Sequence, residues 1–201
     1  MKWIAALIIA AALIPPALSR QTSQKPGAGG GQNRVVILQS DGGSFLIEGP
    51  QDWIADRKVG RRLSVCCVFY PKGAWDAETI IYPNIVTKGP GKKTLAELMA
   101  SDLARFRAEN PGMSYTDGGD ISLKDARVAK LRYFHGVNDG SSELVAYIDE
   151  QKIIALVVVS SKSEKGLNDS LPSLRAVLQT YTYGVQATNV KALRSPSPPG
   201  H

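Results

Sequence analysis

The sequence predicts an α+β fold, in which a largely antiparallel β-sheet lies between helices on both of its faces (α/β/α layers). Three observations lead to this prediction. Residues 153–159 are apolar at every position, which is typical of a strand covered on both faces. The link "DEQ" before this strand is short enough for an antiparallel hairpin. Two further segments carry apolar residues at helical spacing.

Eight segments are predicted as strands because their apolar residues alternate or run continuously between turn signals. The first two flank "QSDGG", a typical hairpin turn, and "EGPQDWI" then forms a turn that brings Trp53 towards the core. The predicted strands are 35–38, 44–48, 61–70, 80–88, 120–123, 128–137, 143–149 and 152–160.

Two segments are predicted as helices. "TLAELMASDLARFRAEN" opens with the capping pair Thr94 and Glu97 and stops at Asn110-Pro111-Gly112. The second helix spans roughly residues 168–181, and its Pro172 fits only in the first turn.

The first 19 residues have the pattern of a cleavable secretory signal. Lys2 precedes an apolar run that is short for a membrane span, and Pro15 and Pro16 interrupt it. Small residues up to Ser19 fit signal-peptidase cleavage, which makes Arg20 the first mature residue. The alternative is an uncleaved anchor. We therefore expect an exported protein, periplasmic or secreted, with no integral membrane span after cleavage.

The rest of the chain divides into one domain and two flanking segments. Residues 20–33 are polar and Gly-rich, as in a flexible linker, and residues 185–201 form a Pro/Ser-rich tail. Residues 34–184 are predicted as a single domain. All 18 acidic residues fall in that domain, whose 19 basic residues leave it nearly neutral. The basic excess thus lies in the flanking segments, and nucleic acid is not an expected partner.

The two cysteines, Cys66 and Cys67, are neighbours within "RRLSVCCVFYPKG". If 61–70 is a strand, their side chains point to opposite faces. Cys67 then joins Leu63, Val65 and Phe69, and diverging sulfurs neither chelate one ion nor bond easily. We predict buried structural thiols. An intermolecular disulfide or a redox role is the alternative.

Four cations are concentrated in "DRKVGRR", where they could dock an acidic patch or a lipid head group. They are Arg57, Lys58, Arg61 and Arg62. The alternative interpretation is that these cations only solvate a surface turn, where Asp52 and Asp56 partly neutralise their charge. "TKGPGKKT" lacks the spacing of a phosphate loop, although Lys88, Lys92 and Lys93 could attract an anion at the following helix.

His135 is the one histidine within the predicted domain. A single histidine without a Cys or His cluster is a poor metal site, and no nucleophile-elbow motif accompanies it. Alternation places His135 beside Tyr133 on one strand face. A structural histidine is the favoured interpretation, and we predict no catalytic residue, metal or cofactor.

The order of these elements resembles the PsbP-like superfamily, which includes the photosystem protein PsbP, periplasmic DcrB proteins and Ran-binding proteins of the Mog type. The resemblance rests on "FLIEGPQDWI", "VFYPKG", "IIYPNIVTK", "KTLAELMASDLARFRAEN" and "SELVAYIDEQKIIALVVVSSKS", and covers most of residues 44–184. It implies an antiparallel sheet between helices and an accessory or binding role. No family functional residue matches a position in this chain.

Three hypotheses about function remain. The first is a non-enzymatic exported accessory protein that binds a protein or envelope component. The second is an enzyme with a pocket near Tyr133 and His135. The third is a binder of anionic envelope surfaces through the basic flanking segments and turn.

Overall fold

The computed structural model describes residues 34–74, 78–89, 94–137 and 140–185. The predicted signal 1–19, the linker 20–33 and, apart from Val185, the predicted tail lie outside these ranges. In chain order the elements are β1 (Val35–Ser40), β2 (Gly43–Glu48), β3 (Trp53–Asp56), α1 (Arg57–Arg62), β4 (Val68–Pro71), β5 (Thr79–Thr87), α2 (Leu95–Glu109), β6 (Ser114–Ser122), β7 (Val128–Val137), β8 (Ser141–Asp149), β9 (Ile153–Ser161), α3 (Glu164–Asp169), α4 (Leu171–Gln179) and β10 (Thr182–Tyr183).

Seven strands form one antiparallel sheet in the order β3-β4-β5-β9-β8-β7-β6. Strand β9 lies at its centre and pairs along its whole length with β5, from Ile153 opposite Thr87 to Ser161 opposite Thr79. Strands β8 and β9 form the antiparallel hairpin that the short link "DEQ" predicts. The predicted α+β class with a largely antiparallel sheet is confirmed.

The central strand β9 is buried on both faces, as its sequence predicts. Every residue from Ile153 to Val159 is at most 4% exposed. Its odd-numbered residues pack into one core, which we call the α4-side core, with Leu174, Val177 and Leu178. Its even-numbered residues pack into a second core, the α2-side core, with Leu98 and Phe106. The sheet therefore separates two apolar layers.

The α4-side core is closed by a second, smaller sheet. Strands β1 and β2 form the predicted antiparallel hairpin, and β10 pairs with β2. Val36, Leu38, Phe45 and Ile47 of this hairpin are buried in the same cluster as the α4 residues. Tyr181 contacts Phe45 there, with ring centroids 5.4 Å apart.

Helix α2 forms because its predicted capping signals are used. The Thr94 side chain accepts a hydrogen bond from the Glu97 backbone N–H, and the Glu97 carboxylate accepts one from the Thr94 backbone N–H. Leu98 and Phe106 are the buried residues of its apolar face, and the Phe106 ring lies 4.4 Å from that of Phe134. This contact fixes α2 on strand β7.

Several predictions differ from the structure. The strand predicted at 120–123 is the end of a longer strand, β6, and Trp53, predicted in a turn, begins β3. The helix predicted at 168–181 is α4, which begins only at Leu171 because Pro172 stands in its first turn, and a separate helix, α3, capped by Ser163, precedes it. The strand predicted at 61–70 is wrong. Residues Arg57–Arg62 are helical, a turn follows, and the strand starts only at Val68.

Candidate functional site

Helix α1 gathers the four predicted partner-binding cations on one side. Arg57, Lys58, Arg61 and Arg62 are all exposed, whereas Val59 and Gly60 are buried. At about 100° per residue, the four cations fall within an arc of about 140° and the two buried residues occupy the opposite side. We call these four side chains the basic face.

The helix is held in place from its N-terminal end. Asp56 caps it, because one carboxylate oxygen accepts a 2.9 Å hydrogen bond from the Val59 backbone N–H. The other oxygen accepts a 2.8 Å bond from the Tyr70 hydroxyl on β4. Burial opposes ionisation of Asp56, but these hydrogen bonds outweigh it and lower its pKa. Burial, together with the Asp56 bond, raises the pKa of Tyr70 to about 12.

Among the described residues, none of the four cations of the basic face forms an ion pair, although the Lys58 charge acts on Asp56 from a distance. Asp56 is committed to capping and to Tyr70, and the ion pairs of the described chain involve other cations. All four cations are exposed on the same side of the helix.

The two cysteines follow α1, and the prediction that their sulfurs diverge is wrong. The Sγ atoms of Cys66 and Cys67 lie 3.3 Å apart, within hydrogen-bond distance, and neither cysteine is in a disulfide. Both side chains contact the α4-side core, whereas Leu63 and Val65 pack in the α2-side core. The reason is that a turn, not a pleated strand, precedes Val68.

The two thiols differ in environment. Cys67 is fully buried and Cys66 is partly exposed. The hydrogen bond from the neighbouring thiol lowers the pKa of Cys66, with a further contribution from the Arg57 charge. The same interaction, together with burial, raises the pKa of Cys67. The pKa values of the two neighbouring thiols are thus shifted in opposite directions.

Tyr133 and His135 lie far from the basic face. They project from β7, four strand spacings or about 19 Å from β4. Their rings are parallel, with centroids 6.2 Å apart. His135 Nδ1 lies 2.9 Å from the Glu164 carboxylate on α3, without the alignment of a hydrogen bond. The structure does not bring these two residues together with the α1 cations.

The remaining predicted anion site is only partly described. Lys88 forms an ion pair with Asp149, so its positive charge is already paired within the protein. Lys92 and Lys93 lie outside the described residues. Among the described residues, no group of three or more His, Cys, Asp or Glu side chains could hold a metal ion.

A buried carboxyl that no sequence pattern singled out lies beneath α2. Glu143 on β8 is 1% exposed, and its Oε1 atom has no hydrogen-bond partner. Burial raises the pKa of Glu143 to about 7, and the Arg105 charge opposes the shift only partly. Next to it the Tyr147 hydroxyl donates a 3.0 Å hydrogen bond to Asp102. The sequence signal that could have indicated this site is an acidic residue, Glu143, within a strand that is otherwise largely apolar.

The chain is similar to several solved structures. The cyanobacterial PsbP protein from Synechocystis is 15% identical, with a TM-score of 0.48, and the alignment covers 79% of this chain and 97% of that one. The Ran-binding protein Mog1p of Saccharomyces cerevisiae is 11% identical, with a TM-score of 0.44, over 75% and 95% of the two chains. A Bacteroides thetaiotaomicron protein is 14% identical, with a TM-score of 0.41, over 80% and 56%.

These structures include two protein types that the sequence resemblance named. Every TM-score is below 0.5 and every identity is below 25%, so the likeness carries no argument about function. No protein-family model and no curated protein matches the chain. Within the part of the chain that the structure describes, no helix is long and apolar enough to cross a membrane.

Proposed function

We propose that this protein is an accessory protein that binds an acidic protein partner through the basic face of α1. The observation that carries the proposal is the alignment of four exposed cations on one short helix, opposite the two residues that anchor it. Exposed charge aligned in this way gives a partner with clustered carboxylates a complementary surface.

Two of the four cations oppose the dipole of α1, whereas Arg61 and Arg62 stand in its last turn, where the dipole favours them. Arg57 and Lys58 stand in the first turn of α1, where the helix dipole disfavours positive charge. The four side chains also repel one another, since they lie within six residues. A segment selected for stability alone would carry acidic or neutral residues in that first turn. Binding of a negatively charged partner would offset this unfavourable electrostatic free energy.

The composition of the basic face favours a protein over a lipid surface. Three of its four cations are arginines, whose planar guanidinium groups bind carboxylates in a bidentate manner. Helices that lie in membranes insert an apolar side, but the apolar side of α1 is buried against the sheet. Val128 is the one exposed large hydrophobic residue in the described ranges, and it lies on β7.

The experiment compares three probes: a poly-glutamate peptide, phosphatidylglycerol vesicles and a DNA duplex. Each is titrated against the mature chain and two variants with equal charge change. The first variant replaces the basic face by glutamine at Arg57, Lys58, Arg61 and Arg62. The control replaces four cations elsewhere, at Lys124, Lys130, Lys152 and Arg175. All four control side chains are exposed.

We expect the mature chain to bind poly-glutamate, with an affinity that falls as salt rises. Four exposed pairs at about 0.5 kcal/mol each predict a loss of about 30-fold in the basic-face variant. The control variant should bind nearly as well as the unchanged chain. Equal losses in both variants, or tighter binding to vesicles or DNA than to the peptide, would contradict the proposal.

We also propose that the protein is exported and that its signal is cleaved before Arg20. The support is the short apolar run that Pro15 and Pro16 interrupt. The measurement is the N-terminal residue of the protein isolated from its own cells. An N-terminus at Met1, or retention in the membrane pellet, would contradict cleavage.

A further inference from the structure

The adjacent thiols lie in a strained turn. Between α1 and β4 the chain turns through Ser64, whose φ of 58° is in the left-handed region that a non-glycine residue seldom adopts. The turn brings the Sγ atoms of Cys66 and Cys67 to 3.3 Å. A disulfide bond is about 2.0 Å long, so the sulfurs need to approach by only about 1.3 Å to bond.

The two sulfurs are not equivalent. Cys66 is partly exposed, whereas Cys67 is fully buried, and the Arg57 charge acts on both thiols. A small oxidant therefore reaches Cys66 first. The Arg57 charge favours the Cys66 thiolate, which is the nucleophilic form of a cysteine. Cys67 lies behind it, in position to react with an oxidised Cys66.

We propose that Cys66 and Cys67 are a peroxide-reactive dithiol, with Cys66 as the attacking thiol and Cys67 as the resolving thiol. The proposal does not depend on what α1 binds. It differs from a structural pair of buried thiols in one respect: the chemistry is directional, and it starts at the exposed sulfur.

The reaction balances in two steps. The Cys66 thiolate attacks one oxygen of a hydroperoxide, the O–O bond breaks, and Cys66 sulfenic acid forms while the other oxygen leaves as hydroxide or alkoxide. The Cys67 sulfur then attacks Cys66 Sγ, a disulfide forms, and the sulfenic oxygen leaves as water with the Cys67 proton. Two cysteine sulfurs are oxidised by two electrons in total, and one peroxide is reduced.

The product should be easily reduced. Adjacent Cα atoms are about 3.8 Å apart, below the usual disulfide range of about 4.4–6.8 Å. A ring closed between neighbours is therefore strained, and strained disulfides are reduced by small thiols more readily than structural ones. The oxidation is thus reversible and suits a sensor more than a permanent cross-link.

The test treats the folded chain with hydrogen peroxide and measures the products by mass spectrometry of intact protein and peptides. The unchanged chain should lose two hydrogen atoms, and reduced glutathione should restore it. Cys67→Ala should instead accumulate Cys66 sulfenic acid, which dimedone traps. Cys66→Ala should leave Cys67 unreacted on the same timescale. Arg57→Gln should slow the oxidation of Cys66 severalfold, and Lys124→Gln, at an exposed cation outside the basic face, should not.

Several results would overturn the proposal. They are equal reaction rates for both thiols, a dimer joined between chains, and a sulfinic acid on Cys66 in the unchanged chain without any vicinal bond. Because Cys67 is in the core, its variant could be unstable. The Cys66→Ala and Arg57→Gln variants then decide the order of reaction, since both positions are at least partly exposed.

Discussion

The centre of the large sheet and the segment from Arg57 to Cys67 follow different physical rules. In β9, seven consecutive apolar residues are buried on both faces and paired with two neighbouring strands. In the second segment, the sequence predicts a strand from residue 61 onward, but the chain forms the end of a helix and a turn before β4 instead. The apolar period of a sequence determines its secondary structure where the residues are buried and paired in the sheet. Where they are not, local signals such as helix caps determine it.

Two local signals outweigh the strand pattern of residues 61–70 in the second segment. Asp56 caps α1 through the Val59 backbone N–H, which satisfies an otherwise unpaired donor. Gly60 allows the helix to lie directly on the following backbone, since a Cβ atom there would come within 2.4 Å of the Cys67 Cα. Strand β3 pairs with β4 only from Val68 to Pro71. The earlier residues are therefore not held by the sheet.

The largest effect should come from the centre of the sheet. Ile154 on β9 is 0% exposed, so Ile154→Ala removes buried methyl groups and leaves a cavity. We expect a loss of about 2–5 kcal/mol in the free energy of unfolding, measured by urea denaturation. Leu63→Ala, at the partly exposed end of α1, should cost clearly less. Equal losses would mean that the two regions are held in the same way.

The buried carboxyl gives the next largest effect, as a pH dependence. The pKa of Glu143 is about 7 in the folded protein, against 4.5 for an ordinary glutamate. Between these values the folded state binds more protons than the unfolded state, so the stability that Glu143 contributes falls as pH rises. The full loss, reached above pH 7, is about 3 kcal/mol.

Glu143→Gln measures this effect, because the amide stays neutral at every pH. We expect the stability of the variant relative to the unchanged chain to rise by about 3 kcal/mol from pH 4 to pH 8. Asp120→Asn, an exposed carboxylate, is the control and should show little change. If the difference in the free energy of unfolding between Glu143→Gln and the unchanged chain does not vary with pH, Glu143 has an ordinary pKa.

The smallest of the three effects concerns the packing of α1. Gly60→Ala should cost about 1–3 kcal/mol in the free energy of unfolding, since the new methyl group meets the Cys67 backbone. Gly112→Ala is the matched control, because nothing lies within 4 Å of its Cβ position. If both variants are equally stable, α1 does not pack on the thiol turn as described.

Most of the fold could be predicted from the sequence, because its signals are local and repeated. The doubly apolar β9, the hairpin turns and the cap of α2 each follow from a few neighbouring residues. The candidate site could not be predicted in the same way. The arrangement of the basic face depends on whether Arg57–Arg62 is helical, and the contact between the cysteines depends on the turn that follows.

The buried carboxyl beneath α2 was missed for another reason. Its environment is made by residues distant in sequence, among them Asp102 and Arg105 of α2. Alternation places Glu143 on a face of the sheet, but which helix covers that face is a property of the whole fold. A polar residue inside a buried strand is a signal that can be read from sequence, although its partners cannot.

The central claim is that residues 57–62 form a helix that places four cations on one face, before a turn that brings the two sulfurs into contact. Backbone carbon chemical shifts from NMR test it most directly. We expect helical shifts from Arg57 to Arg62, a break at Ser64, and extended shifts only from Val68. Extended shifts throughout residues 61–70 would contradict it, because Arg61 and Arg62 would then point to opposite faces and the two sulfurs would diverge.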